Sequence, residues 1–106
     1  MENYILVFCT IDTKENAQML AHSLAEEKLA ACVNLINDIK SVYFWNGKLN
    51  ENSEILLLIK TRQDLYEKLE TRIKQLHPYE VPEIICTKID TGSKTYLDWI
   101  KENTLD

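Results

Sequence analysis

No run of apolar residues in this chain approaches the ~20 that a helix needs to cross a bilayer. The opening residues Met1-Glu2-Asn3-Tyr4 carry neither a basic region ahead of an apolar stretch nor a small-residue cleavage site. The sequence therefore predicts no membrane span and no secretory leader, and the expected compartment is the cytoplasm. Basic residues are in the minority: 12 Lys and Arg face 17 Asp and Glu, a net charge of −5 dispersed along the chain. Without clustered positive charge, neither nucleic acid nor an anionic membrane surface is expected as a partner. Cysteine is scarce as well. Cys9, Cys32 and Cys86 are an odd number, lie in apolar runs and lack Cys-x-x-Cys spacing, which excludes a disulfide framework or zinc knuckle and predicts three buried small hydrophobes. Two glycines and two prolines leave no room for a linker or a low-complexity segment. The 106 residues (1–106) make one domain, long enough to hide about two-thirds of its unfolded surface.

Both prolines fall in one stretch, His77-Pro78-Tyr79-Glu80-Val81-Pro82-Glu83. Each fixes its own φ and disfavours helix at the residue before it, so the stretch is a rigid extended linker that stops a helix and aims a strand. It holds an imidazole, a phenol and two carboxylates in a chain with only one other histidine, His22. This is the first candidate for a binding site.

In chain order, Tyr4 to Cys9 is a short apolar run rich in β-branched and aromatic residues, a strand apolar on both faces. Asp12 and Glu15 have capping-box spacing ahead of a helix with Ala17, Leu20, Ala21 and Leu24 on one face, ending near Lys28. Cys32–Ile36 and Ser41–Trp45 form an extended segment bent around Asn37-Asp38, and Asn46-Gly47 signals a hairpin. A third strand centres on Ile55–Ile59. Thr61, with Asp64 three residues on, is the expected cap of a second helix carrying Leu65, Leu69, Ile73 and Leu76. Glu83 to Ile89 alternates as a fourth strand, and Gly92-Ser93 opens a short terminal helix.

Strand, helix, strand, strand, helix, strand is the split βαβ pattern of an α+β, ferredoxin-like fold. Right-handed crossovers then give an antiparallel sheet of order 4-1-3-2. That order puts the start of strand four, and hence the His77–Glu83 linker, beside Cys9. It also leaves one apolar face of strands one and three uncovered by the two crossover helices, so the terminal helix or another subunit must cover it, and one short helix is too small.

Cys9-Thr10, Leu29-Ala30-Ala31-Cys32-Val33-Asn34, Trp45-Asn46-Gly47-Lys48, Lys60-Thr61, the His77–Glu83 linker and Tyr96-Leu97-Asp98-Trp99 stand in the order and spacing of one family. Through them the chain resembles the CutA divalent-cation tolerance proteins over nearly its whole length. The resemblance implies a tightly packed homotrimer similar to the PII signalling proteins, a role in tolerance of copper and other divalent cations, and no established enzymatic reaction. It implies Cu or Zn contacts at Cys9 and His77, to which Glu83 adds a carboxylate, and cleft or interface roles for Tyr43, Trp45, Lys60 and Tyr79. Members with two adjacent histidines have an imidazole where this chain has Leu76, so one nitrogen donor is missing and three ligands make an open site.

Plainer roles compete for the same residues. His77 just past a helix end suits the last carbonyls and the negative end of the dipole, and Trp45 and Tyr43 beside a turn suit packing. Three functions remain: a non-enzymatic trimer binding metal or a small ligand between subunits, an adaptor trimer resembling PII proteins, and an enzyme with Cys9 as nucleophile and His77 as base.

Overall fold

The computed structural model describes residues 3–106, so Met1 and Glu2 of the expected domain lie outside the described residues. The elements are β1 (Tyr4–Ile11), α1 (Lys14–Glu26), β2 (Cys32–Trp45), β3 (Lys48–Arg62), a 3₁₀ turn (Gln63–Leu65), α2 (Tyr66–Leu76), β4 (Ile84–Lys88) and α3 (Lys94–Glu102). The four strands form one antiparallel sheet of order β2-β3-β1-β4, the 4-1-3-2 arrangement expected of a split βαβ chain.

Alternation along β1 decides what the sheet buries. Ile5, Val7, Cys9 and Ile11 point to the helix side and are almost wholly buried, whereas Tyr4, Leu6 and Phe8 point to the other side and are half-buried. Ile55, Leu57 and Ile59 of β3 continue the inner layer, and Leu20 and Leu24 of α1 with Leu69 and Ile73 of α2 close over it. Full burial of each such side chain stabilises the fold by about 1.5–3 kcal/mol.

Local chemistry differs from the expectation at both helix starts. The cap of α1 is Thr13, one residue after Asp12: its hydroxyl accepts from the Asn16 N–H at 3.1 Å, while Asp12 accepts from the Thr13 N–H and the Asn16 side chain. Thr61 caps nothing. Strand β3 runs on through Arg62, and the fully buried Thr61 hydroxyl instead donates to the Leu29 carbonyl at 2.7 Å. Helix α1 ends in a Schellman motif, with Lys28 at φ 58, its N–H bonded to the Ala25 carbonyl and the Leu29 N–H bonded to the Leu24 carbonyl.

The bend in β2 is a bulge between Ile36 and Ile39, with Asp38 at φ 60. Beyond it the β2–β3 hairpin continues to an Asn46-Gly47 turn with φ of 52 and 73, the pair of positive angles a two-residue hairpin demands. Leu76 ends α2 where the His-Pro step requires, and His77 is already extended at ψ 137.

On the second face of the sheet, α3 packs against β3 with Ile100 fully buried. Its tail is tied down by the Leu105 N–H to the Lys28 carbonyl at 2.9 Å and by Arg62 to the Leu105 carbonyl. The helix does not cover the face: Leu6, Phe8, Leu56 and Leu58 remain half-exposed, and Ile36 and Ile85 are 44% and 59% exposed. Among the described residues no helix is long and apolar enough to cross a membrane.

Candidate functional site

Where β1 ends, the hairpin continues past it and the linker descends into β4, so three backbone segments enclose a groove. Pairing of Cys9 with Ile84 sets Glu83 at the strand end, as the expected sheet order requires. The resulting cavity of about 660 Å³ is lined by Thr10 of β1, Tyr43, Trp45 and Glu54 of the hairpin, and Tyr79 and Glu83 of the linker. Glu80 and Val81 also border it.

At its floor the Tyr79 hydroxyl donates to Oε2 of Glu54 at 2.6 Å. Glu54 is buried, and burial together with the adjacent carboxylate pushes the Tyr79 phenol well above its ordinary range, so it stays a protonated donor. Tyr43 accepts from the side chain of Asn52, two residues from Glu54 toward the hairpin tip.

His77 holds the linker in place. Its Nε2–H donates to the Thr10 carbonyl at 2.7 Å, its Nδ1 accepts from the Tyr79 N–H at 3.1 Å, and its ring meets the Tyr79 ring edge-on at 4.6 Å. The two bonds define one neutral tautomer. The ring thus bonds β1 rather than the last carbonyls of α2, where only its backbone N–H is engaged, with Ile73.

Cys9 lies behind the groove wall. Its thiol is fully buried among core side chains, and burial, with Glu83 and Glu54 nearby, pushes its pKa up to about 12. A protonated, enclosed thiol whose neighbouring imidazole is engaged at both nitrogens does not fit a nucleophile and base. Nor do Cys9, His77 and Glu83 fit a Cu or Zn ion in this geometry: metal binding needs a thiolate and a free imidazole nitrogen, and among the described residues no group of three or more His, Cys, Asp or Glu side chains is arranged to hold a metal. Leu76, at the place of the missing imidazole, packs half-buried against the core.

Of the other expected residues, Tyr43, Trp45 and Tyr79 meet in the groove. Lys60 does not. It lies on the second sheet face and donates to Asn34 of β2. The cysteines divide: Cys9 is buried as expected, Cys32 is half-buried, and Cys86 is exposed because β4 is a short edge strand. His22 is exposed. Sequence reasoning missed Glu54, whose phase did not signal it. It stands two and four residues before Leu56 and Leu58, in phase with the half-exposed second face, yet is itself buried beneath the linker.

Residues 5–103 match the CutA1 divalent ion tolerance protein family. The chain belongs to the CutA1 family. It is 46% identical over 104 residues to a "Divalent-cation tolerance protein CutA" of Thermus thermophilus, covering 98% of this chain and 99% of that one. It is 48% identical over 100 residues to a "Protein CutA, chloroplastic" of Arabidopsis thaliana, where the match covers 94% of this chain and 55% of the longer relative. The fold superposes on the crystal structure of CutA1 from Oryza sativa with a TM-score of 0.96 at 44% identity, over 98% of this chain and 95% of that one. The hairpin, groove and linker described above all fall within the CutA1 match.

Proposed function

We propose that this CutA1-family chain is a non-enzymatic cytoplasmic homotrimer that takes part in tolerance of divalent cations, copper among them, and binds ligands in grooves completed between subunits. Membership of a family named for divalent ion tolerance supports the role. The observation that carries the assembly is the second sheet face, where Leu6, Phe8, Leu56 and Leu58 stand half-exposed beside the exposed Ile36 and Ile85 after α3 has docked. Six apolar side chains left partly or largely exposed on one sheet face are the kind of surface that marks a protein–protein contact. The exposed Val42, Phe44 and Leu49 of the projecting hairpin offer further apolar surface to a neighbour.

Cations in this reading meet the acidic rim of the groove, Glu80 and Glu83, rather than a closed cage in one protomer. Light scattering tests the assembly: a mass about three times 12.4 kDa at micromolar concentration is expected, and 12.4 kDa itself would overturn it. Calorimetric titration of Cu²⁺ and Zn²⁺ into the assembled protein tests the cation reading, and the absence of binding by either ion would remove it.

A further inference from the structure

The deepest charge in the groove has no counter-charge. Glu54 is 7% exposed, no Lys, Arg or His lines the cavity, and no ion pair reaches Glu54 among the described residues. Tyr79 occupies one carboxylate oxygen. The other has no hydrogen-bond donor among the described residues and is not sealed from the cavity. A buried carboxylate satisfied on one side favours any ligand that brings both positive charge and N–H donors to the other.

The surroundings specify which cation. Rings of Tyr43, Trp45 and Tyr79 line the same space, and aromatic faces attract a positive group while covering the alkyl part attached to it. The volume of about 660 Å³ is that of a small-molecule site, far larger than one ion, and no three metal-binding side chains converge there among the described residues. Glu80 and Glu83 at the rim raise the local concentration of cations of any kind.

We propose that the groove binds a small organic cation, an alkylammonium group whose N–H donors reach the free oxygen of Glu54 and whose alkyl part lies against Tyr43 and Trp45. This deepens the ligand-binding part of the proposed function and rests on it. The Tyr79 phenol, held protonated, keeps the carboxylate oriented for the incoming donor. Trp45 and Tyr43 are 44% and 39% exposed in the protomer, so a ligand in the groove has aromatic surface to cover.

The test is calorimetric titration of the assembled protein at pH 7 with butylammonium chloride and, separately, with 1-butanol, which has similar shape and no charge. Butylammonium is expected to bind and butanol to bind at least tenfold more weakly. Glu54→Gln should weaken butylammonium at least tenfold, and Tyr43→Leu several-fold, each compared with the wild type after light scattering has given the same assembled mass. Equal affinity for the alcohol, or no binding of butylammonium by the wild type, would each overturn the proposal. Zn²⁺ titrated alone reads the divalent-cation role separately: a protein that binds Zn²⁺ and not butylammonium loses this proposal and keeps that role.

Discussion

The hydroxyl of Tyr79 in the linker reaches Oε2 of Glu54 in the hairpin at 2.6 Å, bridging two segments 25 residues apart in the chain. This bond couples the shape of the groove to the charge at its floor. Replacing Tyr79 by Phe keeps the ring against His77 and removes only the donor. We expect Tyr79→Phe to cost about 1–2 kcal/mol, measured by urea unfolding, because a largely buried carboxylate loses its one donor. No change in midpoint would mean that water replaces the phenol at no cost.

Alkaline pH should weaken the fold through Cys9. Its thiol is held protonated in the folded state up to about pH 12, against 9.0 for an ordinary thiol. Between those values the unfolded chain binds fewer protons than the folded one, so stability is complete below about pH 9 and falls by about 1.4 kcal/mol per pH unit above it. Tyr66, raised from 10.0 to about 12 by burial and its bond to Glu70, adds to the decline. Urea midpoints from pH 8 to 11 should fall more steeply in the wild type than in Cys9→Ala, and parallel profiles would refute the assignment.

Thiol labelling gives a second reading of the same residue. Maleimide added to the native protein should leave Cys9 unmodified until denaturant is added, while the exposed Cys86 is labelled first. Native-state modification of Cys9 would restore it as a candidate nucleophile.

Much of the fold was legible because each sequence signal had one dominant cause. Asn46-Gly47 was readable as a turn because its positive φ pair suits few other residues, and the His-Pro step because the ring forbids another helical turn. The caps were less legible: Asp12 and Thr13 are both good N-caps, and which one is used depends on where β1 ends. Thr61 misled because a hydroxyl that fits a cap also fits a buried carbonyl, and the partner, Leu29, is 32 residues away. The groove was half-legible. The linker announced itself by composition, but Glu54 joins it only through the register of a strand that the sequence placed and did not align. Cys86 escaped because exposure on an edge strand depends on its neighbours rather than on its own run of apolar residues.

Removing the Cys9 thiol should leave metal behaviour unaltered. We expect Cys9→Ala to bind Cu²⁺ and Zn²⁺ as the wild type does, since the thiol is enclosed and protonated at neutral pH. A tenfold loss of affinity in the assembled variant would mean that the thiol becomes accessible in the assembly.

Lys28 offers a stabilising change. It occupies the left-handed position after α1, where a side chain is strained and glycine is not, so Lys28→Gly should raise stability by about 0.5–1 kcal/mol. A loss would show that the Lys28 side chain makes contacts worth more than the strain it carries.

Strand β1 is made before both of the strands that flank it in the sheet, β3 and β4. At about 5–20 residues per second, β4 leaves the ribosome about 4–15 s after β1. Throughout that interval Tyr4–Ile11, apolar on both sides, has at most one of its two neighbours to pair with. The newborn chain therefore carries this doubly apolar strand without its full set of neighbours until synthesis has passed β4.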